Sequence, residues 1–192
     1  MRNKGLAKGL AVGFAARAMI FSVIAVQAAP QENRPFEAIL EGTTQVVSVT
    51  EEGGLVTESA GNIRGTHIGN GTYTIDAVQD YPRHEEDASQ HVVGNCGFVE
   101  DDEAGLVITA ANGDQIFGDI DDDRSVVCAP DTQTGDPMAG DIYYSTLFTN
   151  VTGGTGRFAD ASGWLFAEGT SVLGASLGTT DDEAQVYGDI DY

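Results

Sequence analysis

Two short acidic strings offer the clearest chemistry in this chain. Asp119, Asp121, Asp122 and Asp123 crowd into Gly118-Asp-Ile-Asp-Asp-Asp123, and Asp189 and Asp191 close Gly188-Asp-Ile-Asp191. Alternate aspartates on one strand face lie about 7 Å apart. If the two strings were neighbours in a sheet, Asp119, Asp121, Asp189 and Asp191 would crowd together. Such an oxygen-only ligand set suits Ca²⁺, and the spacing is not that of an EF-hand loop. The plainer reading is a solvated face in a chain that is acidic everywhere. No other cofactor is expected.

The remaining candidates point to structure more than to catalysis. Thr152-Gly-Gly-Thr-Gly-Arg-Phe158 is rich in glycine. It lacks the Gly-Lys-Ser/Thr of a phosphate loop, and no helix follows it. Gly153, Gly154 and Gly156 read as a tight turn between strands, with Phe158 plugging the core. His67, His84 and His91 show no zinc spacing. There is no Gly-x-Ser-x-Gly elbow. Catalytic residues are therefore not assigned. Tyr73, Tyr144, Trp164 and Phe166 form an aromatic set that could line a cavity and hold a small molecule. Taken singly, each is also an ordinary packing residue.

The elements that position these residues read as strands. Short runs of Val, Ile, Thr and Tyr are broken by turn residues every eight to twelve positions or so, the signal of a sandwich or barrel. In Thr72-Tyr-Thr-Ile-Asp-Ala-Val78, Tyr73, Ile75 and Ala77 face one way and Thr72, Thr74 and Asp76 the other. Asn112-Gly113 between two apolar runs predicts a two-residue hairpin of type I′, with both residues at positive φ. Gln115-Ile-Phe-Gly-Asp-Ile-Asp121 echoes Gln185-Val-Tyr-Gly-Asp-Ile-Asp191. In both, the aliphatic residues and the glycine share one face, and the aromatic and the aspartates share the other. Gly118 and Gly188 then mark bends in a strongly coiled sheet. Between the runs, 81–90, 100–103, 129–136 and 179–183 read as exposed acidic loops.

Residues 1–28 have the pattern of a signal peptide. Arg2, Lys4, Lys8 and Arg17 precede the apolar run Ala18–Val26, and small residues follow. Cleavage is expected after Ala28, leaving one domain over 29–192 that is secreted or periplasmic. The apolar run is shorter than the roughly 20 residues that span a bilayer. The whole chain carries net charge −21 from 9 basic and 30 acidic residues. Without the leader, five arginines face the same 30 acids, net −25, and no lysine remains. Such a field repels nucleic acid and anionic lipid, so neither is an expected partner. Self-repulsion on this scale predicts stability that rises with salt. Cys96 and Cys128 are the two cysteines. Export favours a disulfide between them. Two free thiols, or a metal pair without further ligands at suitable spacing, are the competing readings.

The segment Thr149-Asn-Val-Thr-Gly-Gly-Thr-Gly-Arg-Phe-Ala-Asp-Ala-Ser-Gly163 resembles the allene oxide cyclase and dirigent-like barrel superfamily. Gly65-Thr-His-Ile-Gly69 and Ala110-Ala-Asn-Gly-Asp114 look like segments of secreted bacterial proteins of that type. The resemblance implies an all-β fold, an antiparallel barrel of about eight strands with a central pocket, often oligomeric. It implies a barrel that shapes a reactive guest without a strong catalytic motif. The matching residues are turn and packing residues, so no active-site residue is carried over. Three functions follow as expectations. The first is a binding barrel for a small apolar or aromatic ligand, without catalysis. The second is a cyclase or isomerase using the same pocket. The third is an acidic surface or matrix protein, with or without Ca²⁺.

Overall fold

The computed structural model describes residues 34–51, 54–80, 96–129, 138–176 and 178–192. The proposed leader, most of the 81–90 and 129–136 segments, His84 and His91 lie outside these residues. The strands are β1 (Arg34–Val49), β2 (Leu55–Gly65), β3 (Gly69–Asp80), β4 (Cys96–Thr109), β5 (Gln115–Ile120), β6 (Val126–Cys128), β7 (Ile142–Gly154), β8 (Ser162–Leu173) and β9 (Thr179–Asp191). Every pairing is antiparallel.

The sheet closes on itself. Neighbours run from β1 through β2 and β3 to β4, and from β7 through β8 to β9, which pairs back with β1. β5 and β6 lie end to end, and both fill the single gap between β4 and β7. Nine strands thus occupy eight positions of one barrel, as the sequence predicts. Closure removes the free sheet edges that would otherwise invite association.

The break between β5 and β6 is filled by a side chain. Ser125 is fully buried there. Its Oγ accepts from the Phe148 amide at 2.9 Å and donates to the Phe148 carbonyl at 3.3 Å. The hydroxyl thereby serves the Phe148 amide in place of a backbone partner, while the Phe148 carbonyl also accepts from the Asp121 amide at 2.8 Å.

Alternation along each strand sorts the faces. Phe36, Ala38 and Leu40 point inward on β1, with Val186 and Ile190 on β9 and Ile116 and Ile120 on β5. Tyr73 and Ala77 are buried on β3 while Thr72, Thr74 and Asp76 are exposed, as the sequence predicts. The two echoed heptapeptides also divide as expected. Ile116, Gly118 and Ile120 face in, and so do Val186, Gly188 and Ile190. A β-carbon on Gly188 would collide with the Trp164 carbonyl of β8, which is why the coiled sheet has glycine there.

Three local expectations need correction. The 110–114 connection is a hairpin, but not of type I′. Gly113 has φ 90°, while Asn112 is not among the positive-φ residues. The Gly113 amide donates to the Ala110 carbonyl at 2.9 Å, and the Ala110 amide donates to the Asp114 carbonyl at 2.8 Å. This is a three-residue loop ending in a left-handed glycine. Residues 100–103 belong to β4, where the register slips between Asp76 and Val78 of β3. Residues 179–183 open β9 instead of forming a loop.

Candidate functional site

The two ends of the barrel differ. One end is sealed by the glycine turn. Gly153 and Gly156 adopt positive φ of 148° and 57°, and a single 3-10 turn over Gly156–Phe158 follows. That geometry swings Phe158 inward, where its exposure is 0%. The ring meets the Tyr192 ring edge-on at 4.7 Å between centroids. The plug is tied down from outside. Thr155 Oγ1 accepts from the Gln115 amide at 2.9 Å, and Asp114 accepts from the Arg157 amide at 3.3 Å. Arg157 also reaches the His67 carbonyl. The sequence reading of this motif as turn and plug fits all of these contacts.

His67 belongs to the same closed end. It takes φ 65°, contacts the Pro35 carbonyl through Nε2 at 3.0 Å, and packs edge-on against Tyr192 at 5.8 Å. The Arg34 guanidinium lies over the Tyr192 ring itself, 4.3 Å from its centroid. These groups hold a seal together.

The opposite half of the barrel is a cup. Thr57, Ala77, Val99, Ile120 and Leu173 are buried in this half, but many other inner-face residues are only half-buried. Thr44, Val46, Ser59, Tyr143, Ser145, Ser171, Thr180 and Asp182 all behave this way. Solvent therefore reaches the inside of this half. One wall is apolar, with Ala77, Val99, Ala104 and Ile120 clustered and Ile75 and Leu147 packed on them. The facing wall, on β1, β2 and β9, is polar.

Asp182 organises the polar wall. Its Oδ2 accepts from Thr44 Oγ1 at 2.5 Å, and its Oδ1 accepts from Thr180 Oγ1 at 2.6 Å. Thr44 has one proton, and the carboxylate takes it. Ser59 must then donate to Thr44, across 2.6 Å. Tyr73 completes the group from β3. Its pKa is pushed up to about 12, first by burial and then by the charge of Asp182. The phenol thus keeps its proton across the physiological range and acts as a donor.

The expected aromatic lining is mostly on the outside. Of the four residues proposed to line a cavity, only Tyr73 points inward. Trp164 and Phe166 flank the buried Leu165, so they project to the outer face of β8. Tyr144 stands outward on β7 at 56% exposure. Phe166 instead packs on Phe148 at 4.8 Å and on Tyr187 at 5.1 Å, and Trp164 stacks on Phe148 at 6.4 Å. Arg124 covers the outer side of Phe148 at 3.3 Å. These rings form a row across β7, β8 and β9.

The aspartates proposed for Ca²⁺ are not brought together. Asp119 is on β5 and Asp189 and Asp191 are on β9, with β7 and β8 between them. Three strand spacings put these faces about 14 Å apart. Asp121 sits in the turn after β5, 3.9 Å from the guanidinium of Arg124. Among the described residues, no group of three or more acidic, histidine or cysteine side chains could hold a metal.

Cys96 and Cys128 are bonded as a disulfide across paired positions of β4 and β6, at the open half. This fits an oxidising compartment. No helix among the described residues is long and apolar enough to cross a membrane.

Asp182, Thr44, Ser59 and Thr180 were not singled out by the sequence. The signal was present, however. Counting back in twos from the inward Ile190 and Val186 reaches Asp182 and Thr180. Comparison of the chain with protein-family models, with curated proteins and with solved structures gives no match.

Proposed function

We propose that this chain is an exported protein, secreted or periplasmic, whose barrel holds a small apolar or aromatic molecule in its open half. One observation carries the reading. The inner face changes along the barrel axis, from fully buried aliphatic and aromatic residues at the seal to a cup that sets a buried apolar wall against half-buried polar residues. A concave site with an apolar wall and a few convergent polar groups is the usual form of a small-molecule pocket. The resemblance of the glycine turn to allene oxide cyclase and dirigent-like barrels supports the same reading.

The test is mass spectrometry of small molecules released from the purified exported protein, together with fluorescence of the uncharged apolar probe Nile red. A stoichiometric guest, or probe fluorescence quenched by an added apolar competitor, supports the reading. Neither guest nor probe binding overturns it, and leaves an acidic surface protein.

A cyclase or isomerase in the same cup is a second reading, favoured by the proton-holding Tyr73 beside Asp182. There the phenol would donate to an oxygen of the guest. Incubating a released guest with the protein and with its Tyr73→Phe variant separates the two. Turnover by the first and not by the second supports catalysis. An unchanged guest in both leaves binding alone.

A further inference from the structure

The polar wall of the cup says more about its occupant. Among the strand residues whose side chains are described, Asp182 is the one carboxylate on the inner face of the barrel. The other acids of β9, Asp181, Glu183, Asp189 and Asp191, alternate to the outside. A carboxylate turned into a barrel is a costly choice unless something compensates it.

None of the described cationic side chains does so. Arg34, Arg157 and His67 gather around Tyr192 and Phe158 at the sealed end. Arg124 lies over Phe148 on the outer surface, and Arg64 is exposed on β2. Asp182 is held only by the hydroxyls of Thr44 and Thr180, one on each oxygen. A carboxylate has about four lone-pair sites, so about two remain for a ligand. The hydroxyl chain from Ser59 fixes the direction in which they point.

We propose that the cup selects a protonated amine carried on a small apolar or aromatic body. The ammonium seats on Asp182 and donates to its free lone pairs, which makes a charge-assisted bond. The body lies against the apolar wall of Ile75, Ala77 and Leu147. Tyr143, half-buried on the same inner row as Asp182, offers its ring to the cation. This rests on the reading of the cup as a ligand site. A divalent metal fits less well, because one carboxylate and neutral hydroxyls give too little charge.

The experiment compares 2-phenylethylamine with its neutral counterpart 2-phenylethanol by calorimetry, on the full exported protein in 0.15 M and 1 M NaCl. The amine is expected to bind roughly tenfold or more tightly than the alcohol. The preference should persist at high salt, since a partly buried pair is screened less than surface charge. In the Asp182→Asn variant the two ligands should bind alike. In Asp189→Asn, which removes an outward carboxylate, the preference should stay.

Equal binding of amine and alcohol by the unaltered protein overturns the proposal and leaves the cup reading standing. So does a preference that vanishes in 1 M NaCl or survives in Asp182→Asn. Heat from CaCl₂ that is lost in Asp182→Asn would replace the amine with a metal. The comparison in the unaltered protein decides the matter even if Asp182→Asn does not fold. Absence of binding by either ligand and by the fluorescent probe removes the cup reading as well.

Discussion

The phenol oxygen of Tyr73 occupies the space that a β-carbon on Gly42 would need. The two residues are two strands apart. Tyr73 pairs with Gly61 on β2, and Gly61 pairs with Gly42 on β1. Gly42 leaves room for the phenol, whose hydroxyl lies within reach of the charge of Asp182. A methyl group at Gly42 would meet Tyr73 and the Ala60 carbonyl together. Gly42→Ala should therefore lose about 1–3 kcal/mol. Gly105→Ala is the matched control, since a β-carbon there meets nothing within 4 Å. Urea denaturation of the two variants measures the difference, and similar midpoints would contradict this account.

The pKa of Tyr73 makes a spectroscopic prediction. A phenol raised from 10.0 to about 12 favours the folded state below pH 10, and that contribution fades as pH rises to about 12. Absorbance at alkaline pH should show a late tyrosine step that Tyr73→Phe removes. Tyr187 is also raised, through desolvation and then the charge and hydrogen bond of Glu168, so the variant is needed for assignment. Asp182→Asn should shift the Tyr73 step to lower pH. A late step unaffected by either change would separate the two residues.

The disulfide should matter for stability and less for shape. Cys96 and Cys128 are 32 residues apart in sequence. A loop of that size is worth about 3–4 kcal/mol. Replacing both cysteines with serine should lower the unfolding free energy, read from urea denaturation, by about that amount. The strand signal in circular dichroism should persist, because the main apolar cluster lies at the other end. Loss of that signal would show that the bond is required for folding itself.

Trp164 reports on the outside of the barrel. It is the only tryptophan, and it is 40% exposed. Acrylamide should quench its fluorescence equally with and without 2-phenylethylamine at saturation. Protection on ligand addition would place the ligand on the outer aromatic row instead of in the cup.

The sequence reveals the barrel more readily than the cup, and particular residues show why. Around Tyr73 the polar and apolar sets alternate cleanly, so one face is evidently inward. Around Trp164 they do not. Gly163-Trp-Leu-Phe-Ala-Glu168 is apolar in both registers, and size suggests the wrong face. The narrow interior takes Leu165 and Ala167, and the large rings go outside. At Asn112 the dipeptide signals a hairpin correctly, but one further residue shifts the turn type. Asp182 was hidden by company, for Thr179-Thr-Asp-Asp-Glu183 reads as a solvated loop. Its inward member is distinguished only by the register that β1 and β8 impose.

The Phe158 plug has a kinetic consequence. A tube open at both ends can pass a molecule along, but a stoppered one cannot. Whatever occupies this vessel must leave by the doorway through which it came. Two guests cannot queue past each other, so exchange requires departure before replacement. On the proposed reading of the cup, a stoppered barrel is suited to storing, presenting or sequestering a molecule, and unsuited to conducting one from side to side.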